Sequence, residues 1–251
     1  MRGRLLALAG LLALPSLAAA QLPDLGRPPG QLPDSRFALT PFVGIRIPYT
    51  TDDEFVFTEG GPSYRVEETR GGGLVGGVEV EARAWGPLRV LGSLAYGASG
   101  DHDITLTSSE GDVTGGLGVD APQTWLGKLA LAYRLPEPRP DNRRFHPAAF
   151  VSAGPSLVRM DFEDDAALGT LGDATHHWGV NLGIHTAAAI GSRVAIHLGL
   201  EDYLTFWDTD RLAEREAAIY SAFLGREATV DFDGSSSNLL MLRAGVSIRL
   251  Q

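Results

Sequence analysis

The sequence predicts an all-β chain, a closed antiparallel up-and-down transmembrane β-barrel, and three observations predict it. Apolar and polar residues alternate with a period of two over seven separate stretches, the pattern of strands with one apolar face. The connections alternate between short and long, as in membrane barrels with tight turns at one rim and extended loops at the other. The polar parity is dominated by Gly, Ala and Ser with scattered charges. That composition suits a narrow lumen filled by side chains, whereas a soluble sandwich would turn large hydrophilic side chains to water.

In chain order, Arg2 and Arg4 precede an apolar run over residues 5–14, followed by Ala18, Ala19 and Ala20. This is the layout of a secretory signal, so residues 1–20 are set aside from the fold. The run is too short for a spanning helix, which takes about 20 apolar residues. Residues 21–34 form a Pro-rich periplasmic linker, and residues 35–251 the barrel.

The first strand places Phe37, Leu39, Pro41, Val43, Ile45 and Ile47 on one parity, with Ala38, Thr40, Gly44 and Arg46 on the other. The next sets Leu74, Val78 and Val80 against Glu79, Glu81 and Arg83; the third sets Val90, Leu94 and Tyr96 against Arg89 and Ser93. In the fourth, Trp125, Leu129, Leu131 and Tyr133 oppose Lys128, Ala130 and Ala132. A fifth, over residues 148–160, is apolar on both parities, so its lipid face is undecided. The sixth sets Trp178, Val180, Leu182 and Ile184 against Asn181, Gly183 and His185, and the seventh Val194, Ile196, Leu198 and Leu200 against His197, Gly199 and Glu201. The last sets Leu240, Leu242, Val246 and Ile248 against Arg243, Gly245 and Ser247.

Residues 85–87, 135–146 and 191–193 connect on the periplasmic side, and residues 49–73, 100–121, 161–175 and 207–237 form the long extracellular loops. Eight strands is the primary count. Phe55-Val56-Phe57 and Tyr64-Arg65-Val66 suffice for an extramembrane hairpin, and ten strands around a wider lumen is the alternative. Residues 209–224 read as a short amphipathic helix packed on the rim. Phe37 and Tyr133 at one end, and Tyr49, Tyr96, Trp125, Trp178 and Phe206 at the other, form two interfacial girdles. Asp202 is the one charge on the apolar parity of the seven clear strands. Pro41 and Pro155 are expected at bulges or strand ends, because a closed barrel has no edge for a missing N–H.

With this pattern the chain resembles the small bacterial outer-membrane β-barrel proteins of eight to ten strands. The resemblance covers residues 35–251 and rests on alternation and loop layout. The final Ile248-Arg249-Leu250-Gln251 keeps the alternation without the aromatic last residue usual in that group. It implies residence in the outer membrane of a diderm, Gram-negative bacterium after export by a cleaved signal peptide. It also implies contact with outer-membrane lipid and lipopolysaccharide, and delivery by periplasmic chaperones to the barrel assembly machinery.

The 251 residues include no Cys and carry a net charge of −10. Disulfide frameworks and cysteine zinc sites are excluded, and nucleic acid is disfavoured as a partner. The four long loops hold 23 acidic and 5 basic residues of the chain's 31 and 21, so the remainder is basic. Asp101, Asp103, Asp231 and Asp233 are weak candidates for divalent cations at the extracellular loops. None fits the twelve-residue calcium loop, since Leu106 stands where Gly is required after Asp101. Solvated acidic loops are the plainer reading.

Parity also places lumen residues. A tight turn at 191–193 sets His185 opposite Gly199, diagonal to His197 and Glu201. This is either a two-His, one-carboxylate metal or acid–base set or a hydrogen-bonded network. The turn at 85–87 sets Arg83 opposite Arg89, with Glu81 placed to bridge both. With Arg46, Glu79, Lys128 and Arg243 these residues suggest a charged plug. No catalytic residue and no cofactor is assigned. The leading function is a structural or interaction role at the cell envelope; the alternatives are a narrow channel or carrier for a small solute, and an outer-membrane hydrolase. The hydrolase alternative is lipid A-modifying or omptin-like; for the omptin-like proteases, which pair Asp with Asp and Asp with His at the extracellular rim, the nearest echo is Asp164-Asp165 with His176 or His102.

Overall fold

The computed structural model describes residues 35–47, 53–58, 63–70, 72–97, 101–108, 113–120, 123–136, 147–161, 175–224, 227, 229–232 and 236–250. The expected signal and linker, Tyr49 and the acidic run 162–165 lie outside them. The elements are β1 (Phe37–Ile47), β2 (Asp53–Thr58), β3 (Ser63–Arg70), β4 (Gly73–Trp85), β5 (Leu88–Gly97), β6 (Asp101–Ser108) and β7 (Val113–Asp120). They continue with β8 (Gln123–Arg134), β9 (Ala148–Asp161), β10 (Thr175–Ala189), β11 (Val194–Phe206), α1 (Thr209–Leu224), β12 (Thr229–Phe232) and β13 (Ser236–Leu250).

Eight strands close into a barrel in the order β1-β13-β11-β10-β9-β8-β5-β4, with β4 paired back to β1. The ten-strand alternative is therefore wrong. The hairpin in the first long loop forms, as β2 and β3, but it belongs to a second, five-stranded sheet ordered β12-β2-β3-β6-β7. The second and fourth long loops are likewise partly strand. Their alternation, Ile104 and Leu106 in β6, Leu117 and Val119 in β7, is diluted by Thr and Gly, which is why the pattern resembles loop rather than strand. The fourth loop also holds α1 over the expected residues. Asp208 caps it, its Oδ1 accepting from Arg211 N at 3.3 Å, and the helix lies along β12.

The tight-turn registers are as expected: His185 pairs with Gly199 and Arg83 with Arg89. Gly86 takes the turn between β4 and β5 with φ +54°, a backbone conformation that side chains with a Cβ adopt reluctantly. Apolar side chains of β1, β4, β5, β8, β10, β11 and β13 face outward and are exposed, Leu129, Ile184 and Leu198 among them. β9 resolves its ambiguity by turning Phe150, Val158 and Met160 into the lumen and Val151 outward. Phe37 and Tyr133, and Tyr96, Trp125, Trp178 and Phe206 at the far end, are exposed near the strand ends. Tyr96 and Trp125 pair across β5 and β8 with ring centroids 4.9 Å apart.

The two prolines correct the expectation. Pro41 and Pro155 sit in mid-strand without a bulge. The β1–β13 ladder loses its pairs at Thr40 and Pro41 and resumes at Phe42 in the same register. The β8–β9 ladder likewise skips from Lys128 to Leu131 around Pro155. Each proline keeps its other neighbour, Val78 in β4 and Val180 in β10. Glycine makes the gaps possible. A Cβ on Gly154 would lie 2.1 Å from Leu129 O, and one on Gly245 2.7 Å from Pro41 O, so the strands press together where the ladder is broken.

Gly154→Ala therefore has to push β8 and β9 apart, whereas a Cβ on the lipid-facing Gly76 meets nothing within 4 Å. The first change should cost about 1–3 kcal/mol and the second well under that. Urea titration of the two refolded barrels in lipid vesicles measures the difference.

Candidate functional site

Four charged side chains meet inside the barrel from four different strands: Glu79 on β4, Lys128 on β8, Glu201 on β11 and Arg243 on β13. All are buried. Lys128 Nζ lies 2.5 Å from Glu201 Oε1 and 3.2 Å from Glu79 Oε2. Arg243 closes the ring, with Nη2 2.7 Å from Glu79 Oε2 and Nε 2.9 Å from Glu201 Oε1. Signs alternate around the ring and the sum is zero. Tyr203 donates its hydroxyl to Glu201 Oε2 at 2.9 Å, giving both carboxylate oxygens partners.

The strand registers explain how the ring closes. Glu79 pairs with Ser93, which pairs in turn with Lys128, so a small residue stands between the two ions and leaves them room to meet. Arg243 pairs with Gly44 on one side and Gly199 on the other, and beyond Gly199 comes His185. A Cβ on Gly199 would fall 2.7 Å from His185 Nδ1 and 3.1 Å from Arg243 Nε. Phe42 is likewise set between Gly77 and Gly245, and the Arg243 guanidinium stands 4.7 Å from its ring centroid. A barrel this narrow alternates large and small residues around its wall.

His185 belongs to the network and does not form a metal site with His197. Arg243 Nη2 lies 3.3 Å from His185 Nδ1. Guanidinium can only donate, so Nδ1 accepts, the ring proton sits on Nε2, and Nε2 donates to Ser152 Oγ at 2.9 Å. His185 Nε2 is 3.8 Å from Glu201 Oε1, while the buried His197 Nε2 has no hydrogen-bond partner among the described residues. Among the described residues no group of three or more His, Asp or Glu could hold a metal ion.

Two further levels fill the lumen. Toward the long loops, Phe42, Val75, Leu126, Val158, Met160 and Met241 pack with Tyr203 in one apolar layer, and Arg46 Nη1 donates to Thr124 Oγ1 at 3.0 Å. Toward the short turns, Phe150 packs with Ala148, Ala187 and Ala195, and Leu91 with Ala130 and Ala132. There Arg89 Nε lies 3.1 Å from Glu81 Oε1. Arg83, opposite Arg89 in register, is exposed. The apolar layers and Tyr203 were missed in the sequence, although parity with Glu201 and Lys128 already places Tyr203 and Leu126 inside.

The loop candidates do not converge. Asp101 and Asp103 are in β6 and Asp231 in β12, three strands away in the sheet, about 14 Å at the usual strand spacing. Asp233 lies outside the described residues.

Replacing Glu201 by Gln leaves Lys128 and Arg243 competing for Glu79. The expected loss is about 3–5 kcal/mol, the scale for breaking a buried ion pair by removing one partner. Adding Lys128→Met removes a stranded cation and should recover part of it. A double-mutant cycle by equilibrium unfolding reads the coupling; additive losses would show that the ring does not act as a unit.

No family model and no curated protein matches the sequence. Among solved structures it is similar to the outer membrane protein OprG from Pseudomonas aeruginosa, at 12% identity over 87% of this chain and 98% of that one, TM-score 0.49. It is similar to Neisserial surface protein A, at 12% identity over 86% and 98%, TM-score 0.39. It is also similar to Ail, the attachment invasion locus protein of Yersinia pestis, at 10% identity over 85% and 99%, TM-score 0.35. The chain resembles small outer-membrane barrels, and its eight-stranded closure stands on its own strand order.

Proposed function

We propose that this chain is an outer-membrane protein of the cell envelope whose barrel is a closed anchor and whose working surface lies outside the membrane. One observation carries this reading: the lumen is occupied at three successive levels by buried side chains, with the neutral ion ring between an apolar layer toward the long loops and a level toward the short turns that holds Phe150, Leu91 and the ion pair of Arg89 with Glu81. Eight strands leave an interior just wide enough for side chains, and here those side chains are each other's partners. The exposed apolar wall between aromatic ends suits a hydrocarbon core with an interface on each side. The acidic loops then face outward from the cell, and outer-membrane lipid and lipopolysaccharide surround the wall. Export through a cleaved signal, escort by periplasmic chaperones and insertion by the barrel assembly machinery belong to the same proposal.

The test is conductance of the mature chain in a planar bilayer, after a heat-modifiability gel has shown a folded barrel. The expected result is silence, and the triple variant Leu126→Ala, Met160→Ala, Met241→Ala should begin to conduct as the upper apolar layer is thinned. Steady current through the unaltered barrel would overturn the anchor and put a narrow channel in its place.

A further inference from the structure

The short-turn end of the barrel gathers arginines that the lumen network does not absorb. Residues paired directly across a sheet share a face. Arg83 of β4 pairs with Arg89 of β5, and Arg83 N donates to Arg36 O at 2.8 Å where the β1–β4 ladder runs out. Three arginines therefore stand abreast on three neighbouring strands. A second such pair ends the β11–β13 ladder, with Arg249 N donating to Arg193 O at 2.8 Å. Arg249 pairs with Ala38, two residues from Arg36, and Arg89 pairs with Ala132, two residues from Arg134. One arc of six arginines thus runs over the ends of β11, β13, β1, β4, β5 and β8, the order in which those strands adjoin. Each has the parity of the buried residue two places inward on its strand, Ala195, Ser247, Ala38, Glu81, Leu91 or Ala132, so the arc faces the mouth and not the surrounding lipid.

Like charges directly opposite each other destabilise a sheet, so this arrangement calls for a counter-charge. Among the described residues Glu81 is the one carboxylate of this end, and it is bonded to Arg89 at 3.1 Å. The segments that meet at the mouth, residues 21–36, 81–89, 134–146, 193 and 249, hold ten arginines against the five carboxylates of Asp24, Asp34, Glu81, Glu137 and Asp141. Were each of those carboxylates matched to an arginine, five guanidinium charges would remain. The wall behind Arg249 is also short of partners. Ser247 and His197 are more than nine-tenths buried on the lumen side of β13 and β11, and neither Ser247 Oγ nor His197 Nε2 has a hydrogen-bond partner among the described residues. Ser247 is two residues inward from Arg249, and His197 pairs with Gly245, two residues further in. A buried polar atom without a protein partner marks a place for a bound water or ligand.

Guanidinium forks take phosphate oxygens two at a time, and one multivalent anion answers several arginines at once where a monovalent ion answers one. We propose that this mouth binds a phosphate-bearing anion of two or more charges, seated among the exposed Arg36, Arg83 and Arg193, with Arg249 and the Ser247 hydroxyl on its inner side. A soluble phosphate compound and the headgroup of an anionic phospholipid present the same chemistry; the inward parity of the arc favours the soluble one. The ion ring and the apolar layer beyond it hold the anion at the mouth and do not pass it through. The site goes beyond the anchor reading and depends on it only for the side of the membrane that the mouth faces, the periplasmic one.

The test titrates the mature chain in phosphatidylcholine nanodiscs with inorganic pyrophosphate at low ionic strength, by calorimetry, with empty nanodiscs as reference. One pyrophosphate should bind per barrel, at least about tenfold more tightly than acetate. Arg36→Gln with Arg193→Gln should weaken it about tenfold, and Ser247→Ala about threefold, in barrels that stay heat-modifiable. Should the paired change unsettle the barrel, Arg83→Gln carries the same expectation. Arg211→Gln with Arg215→Gln removes the same charge from α1 at the other rim and should leave binding within about twofold. Adding phosphatidylglycerol to the disc separates the two sources. A loss of pyrophosphate affinity in the unaltered chain and not in the Arg36 and Arg193 variant would mean that headgroups take the same arginines; no such difference would mean a soluble ligand, and either result keeps the phosphate site. Absence of saturable binding, equal loss from the α1 pair, or unchanged binding in both mouth variants would sink the proposal. Failure of a silent barrel to bind overturns this site alone; current through the barrel overturns the anchor and leaves the mouth to be judged by the titration.

Discussion

The ring of Glu79, Lys128, Glu201 and Arg243 is the constraint on which the rest of the structure depends. Its members come from β4, β8, β11 and β13 and reach one another across the lumen, so it forms only when the barrel closes with one particular set of registers. A slip by one residue moves every side chain of a strand to the opposite face. It would carry a buried ion into lipid, where Lys or Arg at the midplane costs about 2–4 kcal/mol, and strand its partners inside. The apolar wall and the ion ring therefore specify the same registers from opposite sides of each strand.

Glycine and proline follow from the same closure. Ser93, Gly44, Gly199 and Gly77 are small because each stands beside a lumen residue that is large, and the bulk removed from one strand is the room taken by its neighbour. The prolines show how much irregularity the wall absorbs. Each loses ladder bonds on one side only, and the register on both sides of the gap stays the same. A closed sheet cannot offer a proline an edge, but Gly154 and Gly245 let the backbone close up around the missing bond.

The period-two pattern made seven of the eight barrel strands legible, together with the tight-turn registers and the ionic residues of the lumen, because an apolar surrounding keeps one parity of each strand apolar, with Asp202 its one charge. It failed where the lumen itself is apolar. β9 places Phe150, Val158 and Met160 inside, so both of its parities are apolar and the pattern loses its contrast. It failed again in the long loops, where Thr and Gly interleave with Ile104, Leu106, Leu117 and Val119 and the acidic residues draw the eye. The two-His, one-carboxylate set had the right register, but both ring nitrogens of His185 are engaged, Nδ1 by Arg243 and Nε2 by Ser152, and sequence spacing cannot show a guanidinium arriving from a strand two places away.

The second sheet extends this logic beyond the membrane. A strand in the barrel has lipid on one face and packed side chains on the other, and both faces contribute to stability. The second sheet pairs its five strands apart from the barrel ladder, in the order β12-β2-β3-β6-β7, and a sheet gains stability when a face is packed. Of the described elements only α1 lies against it, at the β12 edge. Its registers put Glu54 opposite Glu67, Val56 opposite Arg65 and Thr69 opposite Asp103 on one parity. The other parity pairs Phe55 with Val66 and Val66 with Leu106, in register across three adjacent strands. The period-two alternation thus runs on from the barrel strands into the strands that follow or precede them in the chain, and one sequence pattern writes both sheets.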